Sequence, residues 1–221
     1  MEALRENLAA VRERIARAAD RARRDPQGIL LLAVTKIFPA EAIRVAYDLG
    51  LREFGENYVQ EFEGKAPLLA DLSGARYHLI GHLQSNKTSK AAELFESIQT
   101  VDSAKLARRL NDSGRPLDVM LEVKLSPEET KHGADPDSLP ALIDAVRACP
   151  KLRLRGLMTM PPWSEDPEAP RQYFRKLREL AERHALPELS MGMSNDLETA
   201  IEEGSTCVRV GTALFGKRRK A

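Results

Sequence analysis

Lys36 follows an unbroken apolar run, Ile29-Leu30-Leu31-Leu32-Ala33-Val34, and a single threonine. Such a run suits a strand buried on both faces, so the amine at its end stands partly out of bulk water. Partial desolvation lowers a lysine's pKa and frees the amine to attack carbonyls, which is what a Schiff base requires. Two other segments place a glycine and a hydroxyl directly after an apolar stretch: Met191-Gly192-Met193-Ser194-Asn195-Asp196 and Arg209-Val210-Gly211-Thr212-Ala213. Backbone N–H groups at helix starts, with the Ser194 and Thr212 hydroxyls beside them, make an anion pocket. An anion pocket next to a carbonyl-seeking lysine fits a phosphorylated aldehyde or ketone, and pyridoxal 5′-phosphate (PLP) is the leading candidate. Arg209 stands two residues before Gly211, hence on the same face of a strand. If that face is a lumen, Arg209 can donate to the pyridine nitrogen of such a cofactor. Arginine stays protonated, so the ring nitrogen would be left unprotonated and the ring weakened as an electron sink. Each residue also has a plainer role: Lys36 reaching for solvent, Ser194 and Thr212 capping helices, Arg209 in an internal salt bridge.

What separates these alternatives is whether the fold brings the three segments together. Leu4, Leu8, Val11, Ile15 and Ala18 recur at helical spacing and predict an amphipathic helix within residues 1–25, stopped by Asp25, Pro26 and Gly28. Strands are expected at 29–35, 52–54, 76–80, 97–101, 117–123, 152–157, 188–191 and 207–210. Helical patterns separate them, near 57–70, 84–95, 103–112, 136–148, 169–184 and 195–203, with another through Ile43 and Tyr47. Strands joined by helices are parallel, because a parallel crossover needs a dozen or more residues. Eight such units predict a closed (β/α)₈ TIM barrel with an extra N-terminal helix, one domain over residues 1–221. In such a barrel the first strand lies beside the eighth, and phosphate is often held after strands seven and eight. Closure therefore sets Lys36 beside both hydroxyl-bearing loops. In the fifth strand Val119, Leu121 and Val123 alternate with Met120, Glu122 and Lys124, which turns Glu122 and Lys124 toward the lumen. Pro161, Pro162, Trp163, Pro167 and Pro170 mark the loop after strand six.

Composition narrows the function classes. The 34 Lys+Arg against 33 Asp+Glu in 221 residues leave a formal charge of +1, without the positive excess of a nucleic-acid binder. At 43% hydrophobic and 30% charged residues the chain is that of a globular protein rather than a disordered one. Cys149 and Cys207 are far apart and form no C-x-x-C pair, so neither a zinc ribbon nor a disulfide framework is expected. No membrane span is expected, and the Arg-rich start carries Glu2, Glu6 and Glu13 and lacks the apolar core of a signal peptide. A cytoplasmic setting follows. His78 and His82 are four apart, but a strand end and a glycine intervene, so they do not form a helical metal pair. The basic tail 217–221 is read as a solvated end.

The chain resembles the pyridoxal phosphate homeostasis proteins of the YggS/PROSC type. The resemblance rests on ordered blocks along nearly the whole chain: Ala33-Val34-Thr35-Lys36 with Pro39, 54–58 (FGENY), 78–87 (HLIGHLQSNK), 101–103 (VDS), 156–160 (GLMTM), 190–196 (SMGMSND) and 209–216 (RVGTALFG). It implies that Lys36 carries the Schiff base, that Arg209 faces the pyridine nitrogen, and that Ser194, Gly211 and Thr212 hold the phosphate. Asn57 and His78 are implied to line the ring. Lys124 departs from the asparagine common in the family, while Glu128, Glu129, Lys131 and Gly133 fit its pattern. The family is similar to the barrel domain of alanine racemase but lacks that enzyme's second domain and the tyrosine it supplies. The implied activity is binding of PLP in intracellular vitamin B6 homeostasis, without established turnover. PLP-dependent apoenzymes are possible partners, and a monomer is expected. The alternatives are an amino-acid racemase, which needs a base on each face of the cofactor, and a Schiff-base aldolase.

Overall fold

The computed structural model describes residues 1–126 and 132–216. The chain opens with α1 (Glu2–Arg21), β1 (Leu30–Val34), α2 (Ala40–Asp48), β2 (Glu53–Glu56), α3 (Val59–Lys65) and β3 (Arg76–Leu79). It continues with α4 (Thr88–Leu94), β4 (Ser97–Val101), α5 (Ala104–Asn111), β5 (Leu117–Glu122), α6 (Leu139–Arg147) and β6 (Leu152–Met158). The last elements are α7 (Arg171–Arg183), β7 (Glu188–Met193), α8 (Leu197–Glu202), β8 (Cys207–Val210) and α9 (Thr212–Phe215). The eight strands pair in sequence order and close into a parallel barrel. Closure joins β1 to β8, with Leu32 opposite Arg209 and Ala33 opposite Val210.

The expected strands are all present, with ends displaced by a residue or two where pairing frays. The helix expected near 57–70 is α3 followed by a tight 3₁₀ turn, Ala66–Leu69, that contains Pro67. Proline lacks the N–H needed to continue α3. The segment near 84–95 likewise begins as a 3₁₀ turn, Ser85–Lys87, before α4.

Two layers of packing result. Outside the strands, Phe54, Phe62, Phe95 and Phe174 are fully buried against the helices, each contributing roughly 1.5–3 kcal/mol of burial. Val119, Leu121 and Val123 belong to that outer layer, while Met120 and Glu122 turn inward. Inside, Leu32, Val34, Ile80 and Cys207 form a separate small apolar cluster. The rest of the lumen is polar, with His78, Gln99, Ser190 and Arg209 all buried. Lys124 falls just past the end of β5, where its N–H donates to Ala134 O at 3.0 Å. Glu128, Glu129 and Lys131, like the tail 217–221, lie outside the described residues.

α1 buries Leu8, Val11, Ile15 and Ala18 and packs on α8 and α9. Arg14 donates from Nε and Nη2 to the two Glu198 carboxylate oxygens at 2.6 and 2.7 Å, and from Nη2 to Ser194 O at 2.9 Å. Asn7 Nδ2 donates to Leu214 O at 2.8 Å. The N-terminal helix thus holds the loops that follow β7 and β8.

Candidate functional site

A cavity of about 560 Å³ opens at the C-terminal end of the strands. Lys36, Asn57, Ser194, Arg209, Gly211 and Thr212 all line it, together with Val34, Met160, Trp163 and Asp196. Barrel closure brings β1 and β8 together, and the loop after β7 completes the wall.

Lys36 stands between two fixed neighbours. Thr35 is fully buried and donates its hydroxyl to Glu56 Oε1 at 2.8 Å. Ile37 takes φ +70°, a conformation costly for a β-branched residue. Its N–H donates to Glu61 Oε1 at 2.6 Å. Lys65 ties both acids together, with Nζ 2.9 Å from Glu56 Oε1, 2.6 Å from Glu61 Oε1 and 3.1 Å from Thr35 O. Burial pushes the Glu56 carboxyl above its usual range, and Lys65 pulls against that shift. The spacing of Glu56, Glu61 and Lys65 on β2 and α3 gave no sign of this clamp.

Asn57 is set in place by a close backbone approach. A Cβ on Gly81 would stand 2.1 Å from Asn57 O, so only glycine fits there. Thr100 Oγ1 donates to Gly81 O at 2.8 Å from β4 and fixes the same loop.

The loop after β7 turns at Gly192, with φ +91°. Asp196 Oδ1 accepts from Met193 N at 2.6 Å, and burial raises the Asp196 carboxyl while that bond lowers it. Ser194 Oγ accepts from Ala213 N at 3.1 Å, which fastens this loop to the start of α9. Thr212 opens the same helix, so Ser194, Gly211 and Thr212 stand together on one wall of the cavity.

Arg209 is 3% exposed, deep in the cavity. It donates from Nη1 to Ser190 Oγ at 2.8 Å and from Nη2 to Thr159 O at 2.9 Å. Burial pulls the guanidinium below its usual value, against Cys207, Asp196 and Glu122, yet an arginine stays cationic at neutral pH.

The structure corrects one expectation. His78 does not line the Lys36 cavity. Residues two apart on a strand share a face, about 6.6 Å apart; Ile80 reaches the cavity and His78 lies one layer below it, on a second cavity at the N-terminal mouth. There it meets Glu53 Oε2 at 2.5 Å and Gln99 Nε2 at 3.3 Å. Lys124, expected to face the lumen, lies two residues past the end of β5 and is not among the residues that line the Lys36 cavity. His82 stacks on His132 at 3.8 Å, away from His78, and among the described residues no three His, Cys, Asp or Glu side chains converge as a metal site. Cys149 and Cys207 are both free and buried, and burial pushes the Cys207 thiol up to about 11.

The donor set fits PLP: an amine on Lys36, hydroxyls on Ser194 and Thr212, and the Arg209 guanidinium. Among the described lining residues no tyrosine, histidine or cysteine faces Lys36.

The alanine racemase N-terminal domain family model matches residues 6–219. The pyridoxal phosphate homeostasis protein of Pseudomonas aeruginosa is 50% identical over 99% of this chain and 97% of its own. That of Escherichia coli K12 is 44% identical over 99% and 98%. The structure of PipY from Synechococcus elongatus with PLP bound is 40% identical and superposes at a TM-score of 0.85, covering 96% of this chain and all of that one. Alanine racemase from Corynebacterium glutamicum, 17% identical at a TM-score of 0.73, covers 98% of this chain and 61% of that one and shares the fold alone. Full-length identity and the shared barrel lead to one conclusion: the chain belongs to the family of pyridoxal phosphate homeostasis proteins, built on the alanine racemase N-terminal domain.

Proposed function

We propose that this protein holds PLP at the C-terminal mouth of its barrel and serves PLP homeostasis, as a carrier or regulator rather than an enzyme. The observation that carries this is the convergence of Lys36, Arg209 and the Ser194 and Thr212 loops on one cavity. When bound, PLP supplies an aldehyde for an amine and a ring that accepts electron density. Lys36 offers the amine, held at the end of β1 by the clamp on Thr35 and Ile37. Ser194, Gly211 and Thr212 would hold the phosphate, with α1 bracing their loops through Arg14 and Asn7. Arg209 would face the ring nitrogen without giving up its proton, which would restrain the ring as an electron sink. Asn57 would line the ring.

Two-base racemisation needs a second acceptor opposite Lys36, and no described lining residue offers a tyrosine, histidine or cysteine there. The likeness to alanine racemase is one of fold. Among the described residues no helix is long and apolar enough to cross a membrane. We assign one domain over residues 1–221, a monomer in the cytoplasm that passes PLP to PLP-dependent apoenzymes.

The test is the visible absorbance of lysine-bound PLP in wild type and Lys36→Ala, with mass spectrometry of borohydride-reduced protein to identify the modified lysine. Absorbance confined to the wild type, with the label on Lys36, is expected. Equal absorbance in both proteins overturns the assignment.

A further inference from the structure

Five side chains from five different strands form a hydrogen-bonded column through the lumen beneath the Lys36 cavity. Arg209 Nη1 donates to Ser190 Oγ at 2.8 Å, and Ser190 Oγ donates to Gln99 Oε1 at 2.6 Å. Gln99 Nε2 meets His78 Nδ1 at 3.3 Å, and His78 Nε2 meets Glu53 Oε2 at 2.5 Å. Ser190, Gln99, His78 and Arg209 are all at most 5% exposed. The foot of the column reaches the second cavity, about 510 Å³, where Glu53, His78 and Gln99 form part of the wall.

The links run in one consistent sense. A guanidinium only donates, so Ser190 accepts from Arg209, and its single proton goes to the Gln99 carbonyl oxygen 2.6 Å away. The Gln99 amide nitrogen then donates, which makes His78 Nδ1 an acceptor and leaves the ring proton on Nε2. That proton goes to Glu53. Each bond therefore polarises the next in one sense, from the buried cation of Arg209 down to a carboxylate. Rotated end for end, the Gln99 amide would donate to Ser190 and present its oxygen to His78 Nδ1, which would then have to carry a proton.

We infer that Gln99 and His78 are positioning residues for Arg209: the Arg209–Ser190–Gln99–His78–Glu53 column fixes the plane in which the guanidinium faces the Lys36 cavity. The role of Arg209 toward a ring nitrogen rests on the PLP reading above, whereas its immobilisation does not.

The test separates the two. Nitrogen NMR of the ligand-free protein is expected to show His78 with its proton on Nε2 alone and Arg209 with slowly rotating, distinct Nη signals. Gln99→Leu is expected to merge the Arg209 Nη signals. Gln99→Glu keeps the shape but cannot donate to Nδ1, so His78 is expected to become protonated on both nitrogens. With PLP added, Gln99→Leu is expected to bind about tenfold more weakly and with a shifted visible band, the effect of one lost buried hydrogen bond. A His78 proton on Nδ1 in the wild type, or Arg209 signals and PLP band unchanged in a Gln99→Leu protein of native circular dichroism, overturns the column. If the wild type itself binds no PLP, the functional reading fails and the Arg209 signals alone decide the column.

Discussion

Ile37 donates its backbone N–H to Glu61 Oε1 at 2.6 Å, which pins the residue after Lys36 at φ +70°. A left-handed isoleucine persists only where its surroundings over-determine it. Glu61 supplies that constraint and is itself held by Lys65.

Glu61→Ala should therefore destabilise the protein by about 1–3 kcal/mol, from the lost hydrogen bond and the unsupported strain. Ile37→Gly in the same background should recover part of that loss, because glycine adopts this φ without penalty. Urea unfolding of the two single variants and the double variant measures the coupling. Additive effects would remove Glu61 as the support of Ile37.

Arg14 is partly exposed where it pairs with Glu198, so the ion pair itself contributes about 1 kcal/mol or less. Its bond to Ser194 O holds the hydroxyl loop. Arg14→Ala is expected to weaken binding of PLP several-fold while leaving pyridoxal, which lacks the phosphate, nearly unaffected. Equilibrium dialysis of both compounds provides the comparison, and equal losses would detach Arg14 from the phosphate loops.

Burial raises the Glu56 carboxyl above its ordinary value of 4.5, so at mildly acidic pH the folded state holds a proton that the unfolded chain has lost. That contribution to stability is complete below the ordinary value and is lost as pH rises through the raised one. Glu203 behaves oppositely. Burial pushes it up, but Arg175, Arg171 and Arg178 outweigh burial and leave it lowered, so its contribution is present above the ordinary value and lost as pH falls. Glu56→Gln should flatten the decline of stability on the rising side of 4.5, and Glu203→Gln the acid limb. Unfolding midpoints across pH distinguish the two.

Gly192 combines φ +91° with a site where an added Cβ would lie 2.4 Å from Ala200 Cβ. Gly192→Ala is expected to cost about 1–3 kcal/mol from overpacking, with backbone strain in addition. Thermal melting checks this, and an unchanged melt would mean that the turn relaxes freely.

Lys124 lies two residues past β5 and is not among the residues that line the Lys36 cavity. Lys124→Ala should leave the absorbance of lysine-bound PLP unchanged, and a loss equal to that of Lys36→Ala would place the second lysine in the site.

The order of apolar runs and amphipathic segments by itself determined the eight βα units, because each strand and helix is encoded by a local period. Chain order also placed Lys36, Ser194, Arg209, Gly211 and Thr212 at one mouth, since a closed parallel barrel gathers the C-terminal ends of its strands. What only the tertiary structure decided is depth and bracing. The layer a lumen residue occupies depends on the stagger between neighbouring strands, which no single strand encodes; His78, implied by the family resemblance to line the ring, lies one layer below the Lys36 cavity, and no local pattern announces the column from Arg209 to Glu53. Arg14 and Ser194 are 180 residues apart in the chain and meet only once the barrel has closed. The clamp on Ile37 was hidden for a similar reason: its members come from β2 and α3, and nothing in their spacing announces that a backbone N–H of another loop will lie within reach of Glu61.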